Sequence, residues 1–349
     1  MSVFYPLKVK EVRQETASSV SVLFELPAEL ESEFRFKPGQ YVNIKKKLHD
    51  KELRRAYSIC SSLHSGEVRI AIKKVKGGSF SVYANEKLKA GDVLEVTAPE
   101  GRFILDPEDK ADKYAMFAAG SGITPILSML SSLLESENNC KVVLIYGNQS
   151  VEETMFLDNL ESLKKNYPDR LAIHYVFSRK LSEKHHFGRI SDGLIKTILK
   201  EENIDPSING IYICGPEGMI EQVNNYLHKH QFSEDQIHIE WFNVSEEKEV
   251  SQSEFKGAAK VKVVLDEEET FFEMRQDETI LGAALAHGVD APYSCQGGIC
   301  SSCLAKVTEG AVKMDNNRIL SEAELAEGLI LTCQAHPITP VVSIDYDDV

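Results

Sequence analysis

Two patterns of apolar and polar positions divide the chain. From about Tyr5 to Leu105 the apolar residues come in short runs that alternate or carry β-branched side chains, as in Val20-Ser21-Val22-Leu23-Phe24-Glu25-Leu26 and Val68-Arg69-Ile70-Ala71-Ile72. Pro38-Gly39-Gln40, His64-Ser65-Gly66 and Ala90-Gly91-Asp92 interrupt them. Strands this short, separated by turn residues, predict a small antiparallel β-barrel over residues 1–107. Between Lys113 and Phe242 the apolar runs Tyr114 to Ala119, Val142 to Tyr146, Ile173 to Phe177 and Ile211 to Cys214 alternate with amphipathic helical stretches. That alternation predicts an α/β domain with a parallel, helix-covered sheet over residues 108–242. Residues 243–255, with Ser245-Glu246-Glu247-Lys248-Glu249, read as a flexible polar linker. In residues 256–349 two β-like segments (Val261 to Leu265, Phe271 to Arg275) precede a short helix from Thr279 to His287, an α+β pattern.

Length and composition narrow the class. A chain of 349 residues exceeds a single typical core, and 42% hydrophobic with 27% charged residues is ordinary for a globular protein. The start, Met1-Ser2-Val3-Phe4-Tyr5-Pro6, has neither the basic residues nor the apolar core of a signal peptide. No apolar run approaches the ~18 residues that span a bilayer. The expectation is a cytoplasmic protein without membrane insertion, whose thiols stay reduced. The net charge of −15 excludes a nucleic-acid surface, because phosphates require a basic face. The charge is also uneven: residues 254–349 hold 7 Lys/Arg and 17 Asp/Glu, a net −10. Such a module suits docking to a basic redox partner, and serves solubility equally well.

Candidate chemistry begins with the cysteines. Cys295, Cys300 and Cys303 are followed by Cys333 after a gap of 29 residues, which is the plant-type C-x4-C-x2-C…C spacing for a [2Fe–2S] cluster. Two sulfide-bridged iron ions need four converging thiolates; a tight loop supplies three and a distant segment the fourth. Gly297 and Gly298 within the loop are free to take positive φ. A structural zinc site usually has two C-x2-C knuckles and this chain has one, Cys300/Cys303. A disulfide framework is at odds with a long chain lacking a signal peptide. Cys60 and Cys140 read as small buried hydrophobes.

Two glycine-containing regions suggest phosphate groups. Arg55-Ala56-Tyr57-Ser58 follows a basic strand, and by itself fits any half-buried strand with a surface arginine. Some twenty residues later comes Lys76-Gly77-Gly78-Ser79-Phe80-Ser81, glycines and hydroxyls opening a helix expected over Ser81 to Leu88, where free N–H groups suit a pyrophosphate. Gly120-Ser121-Gly122-Ile123-Thr124-Pro125 also follows an apolar strand and opens a helix, with Pro125 tolerated in the first turn. It departs from the G-x-G-x-x-G of ordinary dehydrogenases by ending in proline. Tyr146-Gly147-Asn148 and Cys214-Gly215-Pro216-Glu217-Gly218-Met219 end two further strands, where open α/β sheets bind ligands. Ser178 with Arg179, and Arg189 beyond, provide the hydroxyl and cations that favour NADPH over NADH, although exposed arginines are common. His185-His186 lacks partners at ligand spacing and reads as a solvated turn.

With these residues in hand the chain resembles the ferredoxin–NADP reductase superfamily, joined to a C-terminal plant-type ferredoxin domain of β-grasp (α+β) fold. The resemblance implies that Arg55 holds the FAD pyrophosphate, Tyr57 stacks on the isoalloxazine and Ser58 hydrogen-bonds near its N5. It places Ile72, Gly77, Gly78, Phe80 and Ser81 on the flavin and matches Gly120, Ser121, Gly122, Thr124 and Pro125 to the family's G-x-G-x-x-P pattern. Gly147, Asn148, Ser178, Arg179, Arg189, Cys214, Gly215, Pro216 and Met219 would bind the nicotinamide nucleotide, with Cys214 close to the reacting ring. Phe242, in Glu240-Trp241-Phe242, would cover the flavin until nicotinamide displaces it, and otherwise reads as a core residue at a domain boundary. Pro99-x-Gly101-x-Phe103 is similar to the family's closing turn and equally to an ordinary β-turn. The order flavin, nicotinamide, ferredoxin resembles the reductase components of multicomponent oxygenases. Hydride carries two electrons and the cluster accepts one, so the flavin must stand between them. Arg55 to Ser61, Gly77 to Ser81 and Ala291 to Cys300 are most similar to reductases serving phenylacetyl-CoA epoxidases. This implies a di-iron oxygenase partner and a place in phenylacetate catabolism. A reductase for another hydroxylase, a desaturase or a ferredoxin carrier remains open, as does a non-catalytic electron-transfer module with a vestigial flavin site.

Overall fold

The computed structural model describes residues 3–48, 51–108, 112–136, 139–180, 185–242 and 257–349. The described residues fall into two compact units, one within Phe4–Phe242 and the other containing Gly257–Val349. The expected linker, residues 243–255, lies outside the described residues.

The first unit opens with strands β1 (Phe4–Thr16), β2 (Ser19–Glu25), β3 (Tyr41–Leu48), β4 (Lys51–Ser58) and β5 (Arg69–Lys73), helix α1 (Ser79–Glu86) and strand β6 (Val93–Thr97). They form one antiparallel sheet in the order β4-β3-β6-β1-β2-β5. The sheet curls until its ends meet, through the Ile59↔Ile70 bridge and Cys60 N–H donating to the Arg69 carbonyl at 2.8 Å. Leu7, Val22, Ile44, Ile70, Ile72 and Leu94 fill the interior. Strand β2 alternates in sequence yet is buried on both faces up to Phe24. Its outward Ser21 hydroxyl accepts from Arg69 Nη1 at 3.1 Å, and Arg69 is itself held by Glu11 at 2.9 Å. Helix α1 begins two residues earlier than the sequence suggests, because Gly78, extended at φ −71°, serves as its N-cap.

Six parallel strands follow: β7 (Lys113–Ala119), β8 (Lys141–Asn148), β9 (Leu171–Phe177), β10 (His186–Phe187), β11 (Gly210–Gly215) and β12 (Ile237–Trp241). Their order is β10-β9-β8-β7-β11-β12. Helices α2 (Ile123–Glu135) and α3 (Leu157–Asn166) cover one face, α4 (Asp192–Glu201) and α5 (Glu217–Lys229) the other. The chain runs outward from β7 to β10 and then returns to β11 on the other side. The carboxyl ends of β7 and β11 therefore form the topological switch point, where such sheets bind ligands.

Helix α2 is buried almost all round, from Ile123 to Leu134. Its apolar face packs on the sheet, and its serines meet the barrel. Ser128 Oγ donates to the Ser61 carbonyl at 2.7 Å, Leu63 N–H donates to Ser132 Oγ at 2.9 Å, and Ser62 pairs with Glu135. Barrel and nucleotide sheet are thereby joined into one unit. His185 and His186 are no solvated turn: the ring of His185 stands edge-on to Tyr175 and Phe177, and His186 opens β10 and stacks on His174. The apolar and aromatic surface of β9 draws both rings in.

The second unit contains β13 (Ala258–Leu265), β14 (Glu268–Arg275), α6 (Ile280–Ala286), β15 (Leu304–Glu309), β16 (Val312–Met314), α7 (Glu322–Ala326), β17 (Leu329–Leu331), β18 (Ala335–Pro337) and β19 (Val341–Asp345). Five strands form a mixed sheet ordered β14-β13-β19-β15-β17, and β16 pairs with β18. Helix α6 packs Ile280, Leu281 and Ala284 onto this sheet, and Thr279 caps it by accepting from Gly282 N–H at 3.1 Å. Among the described residues no helix is long and apolar enough to cross a membrane.

Candidate functional site

The barrel brings together a strand and a helix start. Tyr57 and Ser58 end β4, and the Tyr57 ring lies 5.7 Å from that of Phe80 at the start of α1. Burial pushes the Tyr57 hydroxyl well above its ordinary range, so it stays protonated. Arg55 is exposed and donates to the neighbouring Arg54 carbonyl at 2.7 Å. The turn before α1 is closed by Ser81 Oγ, which accepts from Val75 N–H at 3.2 Å, with Gly77 at φ +76°. Gly78 has no side chain to cap the helix, which leaves the first N–H groups of α1 available to an anionic ligand. Ile72 is enclosed in the barrel core and its carbonyl accepts from Asn85 at 3.1 Å. Its side chain belongs to the core; the next residue along β5, Lys73, is the one that reaches the neighbouring site.

That site lies at the switch point. Gly120–Gly122 forms a short 3-10 turn that runs directly into α2. A Cβ on Gly122 would stand 2.1 Å from the Cys214 carbonyl oxygen, and one on Gly215 would stand 2.8 Å from Met219 Cε. The turn after β7 thus approaches the end of β11 more closely than a side chain at position 122 permits. A Cβ on Gly147 would stand 3.5 Å from Ala119, and Tyr146 Oη donates to the Gly120 carbonyl at 3.1 Å. Gly120, Gly122, Gly147, Cys214, Gly215 and Met219 are therefore neighbours in space. Ser121 and Thr124 are linked by a 3.0 Å hydrogen bond from Thr124 Oγ1 to the Ser121 carbonyl, Pro125 sits in the first turn of α2, and Pro216 caps α5.

Further out, Ser178 N–H donates to Asn148 and Arg179 N–H to Gln149, at 2.9 and 3.0 Å. Gly188, at φ +115°, holds the segment before Arg189 against the Phe177 carbonyl at 2.9 Å. Arg179 and Arg189 are exposed at this margin of the sheet.

Polar atoms at the switch point fit a bound nucleotide. Asn148 is 8% exposed and both of its amide atoms are buried beside the Tyr146 hydroxyl without a hydrogen bond that meets the ordinary geometry. Lys73, which sequence reasoning missed, puts its Nζ 3.6 Å from the position of a Cβ on Gly120, a cation between the flavin and nucleotide sides. Its strand position offered no signal. Cys214 is fully buried, and burial raises its thiol well above the ordinary value, so it remains protonated. Phe242 is half-buried against the core shared by Phe103, Tyr212 and Cys214.

In the second unit the four expected thiols converge. Cys300 Sγ lies 3.0 Å from Cys295 Sγ, Cys333 interacts with both Cys295 and Cys303, and these contacts hold the Cys295 thiol well below the ordinary thiol range while raising that of Cys300. Gly297 N–H donates to Cys295 Sγ at 3.3 Å. The positive φ values fall on Gln296 (54°) and Gly298 (72°), not on Gly297. Position 298 also requires glycine by contact, because a Cβ there would stand 2.6 Å from the Asn316 carbonyl.

The loop is tied down from residues no motif links to it. Asn316 Nδ2 donates to the Gly297 carbonyl at 2.7 Å, Gln334 Nε2 to that of Gln296 at 2.9 Å, and Arg318 N–H to that of Gly298 at 3.1 Å. Among the described residues no group of three or more His, Cys, Asp or Glu is spaced for a single metal ion. Three thiols on one loop and a fourth from a distant segment, with N–H groups aimed at sulfur, suit a binuclear cluster. Ser294, 1% exposed, keeps an unsatisfied hydroxyl beside Cys295, a donor that a sulfide or thiolate would use.

Comparisons with known proteins agree with this assembly. Residues 6–104 match the oxidoreductase FAD-binding domain family, 116–225 the oxidoreductase NAD-binding domain family, and 263–337 the 2Fe-2S iron-sulfur cluster binding domain family. The chain is 37% identical to one of the subunits of the 1,2-phenylacetyl-CoA epoxidase of Escherichia coli, over 99% of both chains. It is 31% identical to the ferredoxin reductase component of 3-ketosteroid-9-alpha-monooxygenase from Rhodococcus rhodochrous, over 97% of this chain and 96% of the relative. Phthalate dioxygenase reductase shares the fold, with a TM-score of 0.63 over 98% of each chain at 22% identity. A barrel for FAD, a parallel sheet for a pyridine nucleotide and a four-cysteine loop for [2Fe–2S] follow one another in this sequence. The chain belongs to the family of NAD(P)H-dependent oxidoreductases that serve as reductase components of multicomponent oxygenases.

Proposed function

We propose that this chain draws electrons from NADPH and delivers them to a di-iron oxygenase of the phenylacetyl-CoA epoxidase type, in the cytoplasm. The observation that carries the choice of acceptor is the 37% identity over 99% of both chains to a phenylacetyl-CoA epoxidase component. When bound, FAD accepts an electron pair as hydride and releases electrons singly, and the cluster carries them one at a time.

The residues divide the work between holding and positioning. Arg55, exposed beside β4, binds the flavin pyrophosphate together with the open N-terminus of α1 at Gly77, Gly78 and Ser81. Tyr57, packed against Phe80, would bear on the isoalloxazine, and Ser58 would offer its hydroxyl to the flavin near N5. Phe242 would cover the flavin until nicotinamide displaces it. The Gly120–Gly122 turn admits the nucleotide diphosphate to backbone distance, with Lys73 as counter-charge, while Asn148 and the protonated Cys214 orient the nicotinamide end. Ser178, Arg179 and Arg189 bind the 2′-phosphate, the basis for NADPH over NADH. Cys295, Cys300, Cys303 and Cys333 hold the cluster. The domains run 1–107, 108–242 and 256–349, joined by 243–255.

The test is reconstitution: purified protein loaded with FAD and cluster, given NADPH, reduces a purified di-iron phenylacetyl-CoA epoxidase component and supports epoxide formation. Rapid cytochrome c reduction with no reduction of that component would overturn the choice of acceptor and leave the reductase class standing.

A further inference from the structure

The nucleotide sheet carries a side-chain cluster that the chemistry above does not use. His174 on β9 and His186 on β10 share the face covered by α4, since His186 pairs with Val176, two residues beyond His174. His186 Nε2 lies 3.4 Å from His174 Nδ1, with the rings stacked at 27° and their centroids 5.7 Å apart. The other nitrogen of His174, Nε2, is 2.7 Å from Glu202 Oε1 at the end of α4. That carboxylate keeps the His174 proton on Nε2 and leaves the Nδ1 lone pair facing His186. The 3.4 Å gap is long for a nitrogen–nitrogen hydrogen bond. It agrees with the edge of a tetrahedral site, where two imidazole nitrogens about 2.05 Å from one ion lie roughly 3.3 Å apart. His186 can present its own lone pair at Nε2 by carrying its proton on Nδ1, so neither ring need lose a proton.

We propose that His174 and His186 form a binding site for a late divalent transition-metal ion, zinc foremost, with Glu202 as the carboxylate that orients His174. Imidazole ligands select such ions over magnesium or calcium. His185 contributes nothing, because its ring is engaged with Tyr175 and Phe177. Among the described residues no third His, Cys, Asp or Glu completes the set, so water fills the remaining positions. The site is sheltered but reachable: the His174 side chain is 16% exposed and β10 is the edge of its sheet. An ion here would pin β10, a two-residue strand, and with it the segment leading through Gly188 to Arg189.

The experiment uses the full-length protein with FAD and cluster loaded, titrated with zinc chloride by calorimetry and examined by zinc K-edge absorption. The expected result is one equivalent bound with micromolar affinity, in a nitrogen and oxygen shell with two-imidazole scattering. His186→Gln weakens binding at least tenfold, and Glu202→Gln, which keeps both imidazoles, by about tenfold; the flavin and cluster absorption is unchanged in both. Sulfur in the zinc shell at about 2.3 Å would assign the ion to the cluster cysteines and overturn the proposal. So would unaltered affinity in His186→Gln, or no heat of binding in the wild type.

Discussion

The Gly120–Gly122 turn and the Cys295–Cys303 loop both bend a backbone around a charged group, but they are held in opposite ways. The turn is fixed by packing. Gly122 is pressed against the Cys214 carbonyl, β7 before it and β11 beside it are buried, and α2 behind it is enclosed by sheet and barrel. The loop, by contrast, is tied chiefly by hydrogen bonds to Asn316, Arg318 and Gln334, around converging thiols. One site is rigid before its ligand arrives. The other gains part of its order from the ligand, as metal sites do when binding and folding are coupled.

That contrast can be broken by substitution. The largest effect is expected from Cys300→Ser: cluster absorption is lost and reduction of the oxygenase component or cytochrome c falls to background. NADPH–ferricyanide turnover persists, because the flavin unit does not depend on this loop. If ferricyanide turnover also vanished with FAD still bound, the order of the relay would be wrong. Gly122→Ala comes next. Its Cβ meets backbone on β11 that cannot move aside, and such overpacking costs about 1–3 kcal/mol or more. The melting temperature of the flavin unit drops, and stopped-flow reduction of FAD by NADPH slows while cluster content is untouched. Equal rates in the mutant and wild type would show that the turn is not held by packing.

Smaller effects sharpen the picture at each site. Arg179→Ala raises KM for NADPH about fivefold to tenfold, in line with ~1–1.5 kcal/mol from an exposed charge-assisted contact, and leaves KM for NADH nearly unchanged. Steady-state kinetics with both nucleotides checks it; equal changes would remove the 2′-phosphate assignment. Ser294→Ala should lower the cluster's reduction potential slightly without loss of iron, because a hydroxyl donor stabilises the more negative reduced state. Redox titration followed by electron paramagnetic resonance measures the shift, and an unchanged potential would mean that the hydroxyl does not reach the cluster.

Much of the site was legible because its chemistry is local. Arg55 to Ser58, Gly77 to Ser81, Gly120 to Pro125 and the loop cysteines are contiguous motifs, and each carries its geometry in neighbouring residues. What escaped detection depends on pairs far apart in the chain. Lys73 matters only because β5 ends beside Gly120. Ile72 reads like its neighbours, and only the closed barrel shows it to be core. The His185-His186 pair lacks partners within its own segment, and its companion His174 arrives through the parallel pairing of β10 with β9.

The sequence by itself determined the three modules, their order and the plant-type spacing of the four cysteines, because hydrophobic period, glycine placement and cysteine spacing act over a few residues. Tertiary structure alone decided that the serine face of α2 meets the barrel, that Gln296 takes positive φ together with Gly298, and that the Gly120–Gly122 turn closes onto the Cys214 carbonyl. Each of these is set by steric contact or hydrogen bonding between segments many residues apart, and no local pattern encodes it.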